Sequence, residues 1–144
     1  MSDVAERVGV GACRLVQLPL TRDPRGRLTY VEEERHVPIP IERVYFIAEM
    51  PGGAHRAGHA HREIEEVVVC VSGSFRVTVD DGRRREHVTL DRPDRGLYIS
   101  TYVWHELDAF SPDAVVLGLA SLPYDDADHF RDYDEFVQAA SARS

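Results

Sequence analysis

The sequence lacks the features that mark several large classes of protein. Cysteine is scarce, with Cys13 and Cys70 alone among 144 residues. Two cysteines are too few for a disulfide scaffold, and Cys70 lies inside an apolar run. Both read as reduced thiols, as expected of a cytoplasmic protein. Positive charge is also short: 17 Lys plus Arg stand against 25 Asp plus Glu, a net charge of -8. That balance argues against nucleic acid as a partner, which needs a basic face. A nucleotide-linked substrate stays open, because a few local arginines suffice for a diphosphate. No window approaches the length of a membrane span. The opening MSDVAERVGVGACR carries acids and has no apolar stretch of signal-peptide length. There is no repeat, low-complexity tract or linker.

What is present fits one domain over 1–144, with a core from about 13 to 136. Apolar residues make up 43% and charged residues 29%, ordinary values for a globular chain. Short β-type runs follow one another, divided by Gly, Pro, Asp and Ser. They are 13–18, 28–32, 42–49, the stretch around 58–61, 65–71, 75–81, 86–91, 96–100, 102–110 and 114–120. That spacing predicts an all-β sandwich or barrel. Asp81-Gly82 predicts a hairpin, and Ser72-Gly73 and Ser111-Pro112-Asp113 read as turns. In DHFRDYDEFVQAA (128–140), Phe130, Tyr133, Phe136 and Val137 fall at helical spacing. Acids cluster at its start, so one C-terminal helix is expected there.

The chemistry centres on GGAHRAGHAHREIEEVVVCVSGS. Residues two apart on a strand project to the same side, so His59 and His61 point together. Glu66 begins the next strand and can reach the same space, and His105 lies on another predicted strand. From Gly53 the pattern is Gly, five residues, His59, one residue, His61, four residues, Glu66, six residues, Gly73. This resembles the first sequence motif of the cupin superfamily, which implies a jelly-roll barrel. The second cupin motif is degenerate: His105 survives, while Ser100, Tyr102 and Ala109 occupy its other places.

Further segments sharpen the resemblance. RVYFI (43–47), HAH (59–61), VCVSGS (69–74), DDG (80–82), GLYIS (96–100), WHE (104–106) and RDYDEF (131–136) are similar to the dTDP-4-keto-6-deoxyhexose 3,4-ketoisomerases. The likeness runs from about Cys13 to Phe136. It implies that a ketone at C4 of a dTDP-linked 6-deoxyhexose moves to C3 through an enediol, with no cofactor. Histidine suits both proton transfers, because its pKa lies near neutrality. By resemblance His59 and His61 carry those transfers, one at carbon and one between the oxygens. Tyr45 is a third catalytic candidate, and Arg25 and His105 are positions close to the sugar. Arg56 is assigned to the diphosphate, because guanidinium pairs bidentately with phosphate. The resemblance also implies a homodimer. The pair Arg25 and His105 matches the branch that yields the galacto-configured product.

Other readings stand beside these. Trp104 should face away from His105 and pack. His36, His55, His87 and His129 sit in polar surroundings and read as surface, as does Arg83-Arg84-Arg85. Glu66 stands where relatives usually have Gln. With His59, His61 and His105 it completes the ligand set of a metal-dependent cupin oxidoreductase or dioxygenase. A non-catalytic sugar-binding module is a third possibility; no DNA-binding segment is attached to support it.

Overall fold

The computed structural model describes residues 6–143, apart from the Ala57 side chain. Residues 1–5, part of the stretch read as lacking a leader, lie outside the described ones. Among the described residues, no helix is long and apolar enough to cross a membrane.

Two antiparallel sheets face each other. The larger is built from β1 (Glu6–Arg7), β2 (Arg14–Gln17), β5 (Arg43–Ala48), β7 (Glu66–Ser72), β10 (Arg95–Ile99) and β12 (Val115–Ala120). Its spatial order is β1-β2-β10-β7-β12-β5. The second holds β6 (Arg56–His61), β8 (Phe75–Asp80), β9 (Arg85–Leu90), β11 (Trp104–Asp108) and β13 (His129–Phe130), in the order β13-β6-β11-β8-β9. A separate hairpin pairs β3 (Leu20–Asp23) with β4 (Gly26–Thr29). The fold is an all-β cupin-type jelly roll with one C-terminal helix, α1 (Tyr133–Arg143).

Strand alternation sorts the side chains into three clusters. Between the sheets, Leu15, Val68, Cys70, Leu97, Ile99 and Val116 meet Phe75, Val77, Val79, Leu90 and Leu107. β7 is apolar on both faces because both are covered. Val68 and Cys70 point inward, while Val67 and Val69 pack outward against Leu18, Val37 and Ile39. Glu66 shares the inward parity of Val68 and Cys70, so a buried carboxylate starts an otherwise apolar strand. The third cluster, Ala60, Trp104, Phe130 and Phe136, lies under α1. Trp104 therefore packs away from His105, as its parity predicts. Both cysteines are buried and free.

The helix starts later than the 128–140 periodicity suggests. Residues 126–128 form a 3-10 turn capped by the Asp125 side chain, and His129–Phe130 form β13, antiparallel to β6. The β3 strand and the extreme N-terminal β1 were not anticipated; LTRD and ER are too polar to show a buried face.

Candidate active site

A cavity of about 340 Å³ opens between the sheets at one end of the barrel. Three strands set its wall by parity: Arg43, Tyr45 and Ile47 from β5, Glu66 and Val68 from β7, and His105 and Leu107 from β11. β6 adds Arg56 and His59. These two are three residues apart and would face opposite ways on a regular strand. Gly58, at φ 78°, supplies the extra residue of a β-bulge where the register passes from His105↔His59 to Glu106↔Ala57. The bulge turns Arg56 to the cavity side. Gly118 on β12 lies opposite Tyr45, and a Cβ there would fall 1.9 Å from the tyrosine ring. Only glycine lets Tyr45 lie across that strand.

Glu66 is the hub. Tyr45 Oη donates to its Oε1 at 3.0 Å. His61 Nε2 lies 3.3 Å from Oε2, and His105 Nε2 lies 3.8 Å from Oε1. Arg43 reaches Oε2 only at 3.7 Å, and its buried Nε has no hydrogen-bond partner. Burial works to raise the Glu66 carboxyl, but His61, His105 and His59 around it hold it below the usual carboxylate range. Burial, with the Glu66 charge behind it, raises Tyr45 well above its ordinary value, so it remains a donor.

His59 faces the cavity with its ring 4.8 Å from His61 and 4.6 Å from His105. Burial, reinforced by the neighbouring histidines, pushes it down to about 2. It is a neutral imidazole with a lone pair to offer. Burial likewise lowers His105. His61 is only 2% exposed and sits behind the cavity wall. Its Nδ1 lies 3.2 Å from Asp128 Oδ2, while Nε2 faces Glu66 without the alignment of a hydrogen bond. Asp128 also accepts from the amides of Glu63 and Ile64 at 2.8 and 3.1 Å. It ties His61 to the connection that leads into Glu66.

The structure thus brings together His59, His61, Tyr45, His105, Glu66 and, at the rim, Arg56. It does not bring Arg25 to them. Arg25 sits at the tip of the β3–β4 hairpin, 91% exposed and paired with Asp23 at 2.7 Å. The expectation of a surface His129 is corrected: antiparallel pairing of β13 with β6 sets it opposite His61, and it lines the cavity. Arg43, Asp128 and His129 were not picked out from the sequence. Arg43 shares parity with Tyr45, a signal that was available. Asp128 lies in the acidic run DDAD, which looks solvated.

As a donor set, His59, His61 and His105 offer nitrogens within 4.8 Å of one another, and Glu66 adds a carboxylate. The orphaned His61 Nε2 fits such a site, so these residues are compatible with a divalent transition ion.

The family described as "WxcM-like, C-terminal" matches residues 11–141. A TDP-4-oxo-6-deoxy-alpha-D-glucose-3,4-oxoisomerase of Aneurinibacillus thermoaerophilus is 46% identical over 114 residues, which are 79% of this chain and 82% of that one. A TDP-quinovose 3,4-ketoisomerase from Campylobacter jejuni superposes with a TM-score of 0.86 at 40% identity, covering 90% of this chain and 99% of that one. A sugar 3,4-ketoisomerase from Thermoanaerobacterium thermosaccharolyticum, in complex with TDP, superposes with a TM-score of 0.89 at 32% identity, covering 91% and 96%. With the sequence match spanning nearly the whole barrel, this chain belongs to the sugar-nucleotide 3,4-ketoisomerase family of cupins.

Proposed function

We propose that this enzyme converts dTDP-4-keto-6-deoxyglucose to a dTDP-3-keto-6-deoxyhexose by histidine-mediated proton transfer. The observation that carries the reading is His59, a neutral imidazole facing a cavity whose far wall holds an ionised Glu66 and a donating Tyr45. His59 takes the proton from C3. The C–H electron pair forms the C3–C4 double bond, and the C4 oxygen gains a proton, giving the enediol. Loss of the proton on the C3 oxygen forms the new ketone, and C4 takes a proton. Atoms and electrons balance within the sugar, so no oxidant is needed. His61, held by Asp128 behind the cavity wall, handles the proton exchanged between the oxygens by relay through Glu66, which lines the cavity. Tyr45 donates its one hydrogen to Glu66, keeping it in place, and its oxygen can accept a hydrogen bond from the sugar. Arg43, with its unpartnered Nε, opposes negative charge on the enediolate oxygens. Arg56 at the rim holds the diphosphate, in keeping with the TDP bound by the Thermoanaerobacterium relative.

Arg25 enters this reading through a homodimer. The β3–β4 hairpin pairs with no other sheet of its own chain among the described residues, and Leu28 within it is 62% exposed. A second copy would receive the hairpin and with it Arg25; a monomer by light scattering refutes this element. Arg25 and His105 together lead us to the galacto-configured product. The test of the whole reading is conversion. The purified protein, given dTDP-4-keto-6-deoxyglucose and no cofactor, should yield a 3-keto isomer by NMR. Sugar resonances unchanged under enzyme excess refute it.

One observation supports a second reading, the convergence of three histidines and a carboxylate. A transition ion held by His59, His61, Glu66 and His105 would supply Lewis-acid or redox chemistry. Activity lost on chelation and restored by metal would favour it.

A further inference from the structure

His129 lines the cavity, yet neither the motifs nor the reaction scheme above uses it. Three observations define it. β13 pairs His129 with His61 across the ladder, so its side chain enters the barrel on the same side as the catalytic pair. Its ring stands 4.5 Å from His61, 4.9 Å from His59 and 5.3 Å from Tyr124, so it closes the cavity opposite β5 and β7. Its Nδ1 lies 2.9 Å from the Asp125 carbonyl oxygen. A carbonyl can only accept, so Nδ1 carries the hydrogen.

That last contact fixes the chemistry of the other nitrogen. With Nδ1 protonated and the ring neutral, Nε2 bears a lone pair. Of the other polar groups around the cavity, Arg43 and Arg56 only donate, Tyr45 and Glu66 Oε1 are engaged with each other, and His59 is reserved for C3 in the scheme above. A sugar hydroxyl, which can donate as well as accept, finds a further acceptor on that side in His129 Nε2.

We propose that His129 is a substrate-contacting residue, its Nε2 accepting a hydrogen bond from a hydroxyl of the sugar and so fixing how the ring presents C3 to His59. The proposal rests on the ketoisomerase reading and adds a specificity contact to it. It acts on the sugar and not on the nucleotide, because the residue lies beside the histidine cluster, and Arg56 holds the rim.

Three replacements separate contact from packing. The amide of Gln reaches the place of Nε2, whereas the amide of Asn reaches that of Nδ1. Losing one neutral hydrogen bond should cost about 5-fold, the middle of a range of roughly 2- to 13-fold. His129→Phe should therefore raise KM by about that factor while kcat changes less, with Tm and the Kd for TDP alone unchanged. His129→Gln should recover most of the lost affinity, and His129→Asn should behave like Phe. If Asn rescues and Gln does not, the residue serves only its bond to Asp125, and the proposal falls. It falls equally if the Phe variant keeps a KM within about twofold of wild type. The wild-type arm separates the two levels. A wild type that neither binds nor converts the substrate overturns the reaction and this contact together. A wild type that converts it beside an unimpaired Phe variant overturns this contact alone.

Discussion

Acidification from pH 7 to pH 5 should destabilise the protein, and His59 should be a principal cause. In the unfolded chain this histidine titrates near 6.5. In the folded chain burial and its histidine neighbours push it down to about 2. Below pH 6.5 the unfolded state therefore binds a proton that the folded state refuses, and stability falls as pH drops. At pH 5 the linkage from this group alone is about 2 kcal/mol, and at pH 7 only about 0.2 kcal/mol. His105 and His129 are lowered in the same direction and add to the loss. Glu66, also depressed, contributes stability that is lost only lower, as pH falls below about 4.5 toward 2. The assay is urea denaturation at pH 7, 6 and 5 for the wild type and for His59→Asn. The variant has no group to titrate at 59, so its pH slope should be shallower by about 2 kcal/mol over that interval. Identical slopes would mean that His59 takes up its proton in the fold, and a neutral cavity-facing base would be lost from the account.

Other expected outcomes follow from the same geometry. His61→Asn should keep the fold and lose roughly two to four orders of magnitude in turnover, the usual range for a lost acid–base group; near-normal kcat refutes its role. Exhaustive chelation should leave turnover unchanged, because the isomerisation moves protons and not electrons; near-stoichiometric metal with activity lost on its removal would reverse this. The product should show a small H4–H5 coupling by NMR, as the galacto configuration requires, and a large axial–axial coupling refutes that stereochemistry. Gly118→Ala should displace the Tyr45 ring and lower turnover while both sheets persist by circular dichroism; unchanged turnover would show that Tyr45 is not needed where it lies.

The sheet architecture was legible because alternation survives in the strands that matter. Parity alone puts His59 with His61, Tyr45 with Ile47, and His105 opposite Trp104, and the structure keeps each of those relations. Glu66 was legible as a polar start to a buried strand. Arg56 beside His59 was not derivable from parity, since it depends on the bulge at Gly58. His129 escaped for a different reason. Its strand has two residues, too few to show a period, and it borders a helix whose 3.6-residue pattern extends plausibly over it. Asp128 was hidden by its acidic neighbours, although the fold makes it the buried anchor of His61. Arg25 shows the limit of reading a position by likeness alone. In a single chain it is a hairpin tip, and any part it has in the site depends on a second copy.

The central claim is that His59 removes the proton from C3 of the sugar. The most direct measurement follows the H3 resonance of dTDP-4-keto-6-deoxyglucose by proton NMR with wild-type enzyme and with His59→Asn, folded and at equal concentration. The wild type should consume the H3 signal as the 3-keto isomer appears, and the variant should retain it over at least a hundred times the same interval, the low end of a lost acid–base group at about 100-fold. Loss of H3 at a near-wild-type rate in the variant would contradict the account.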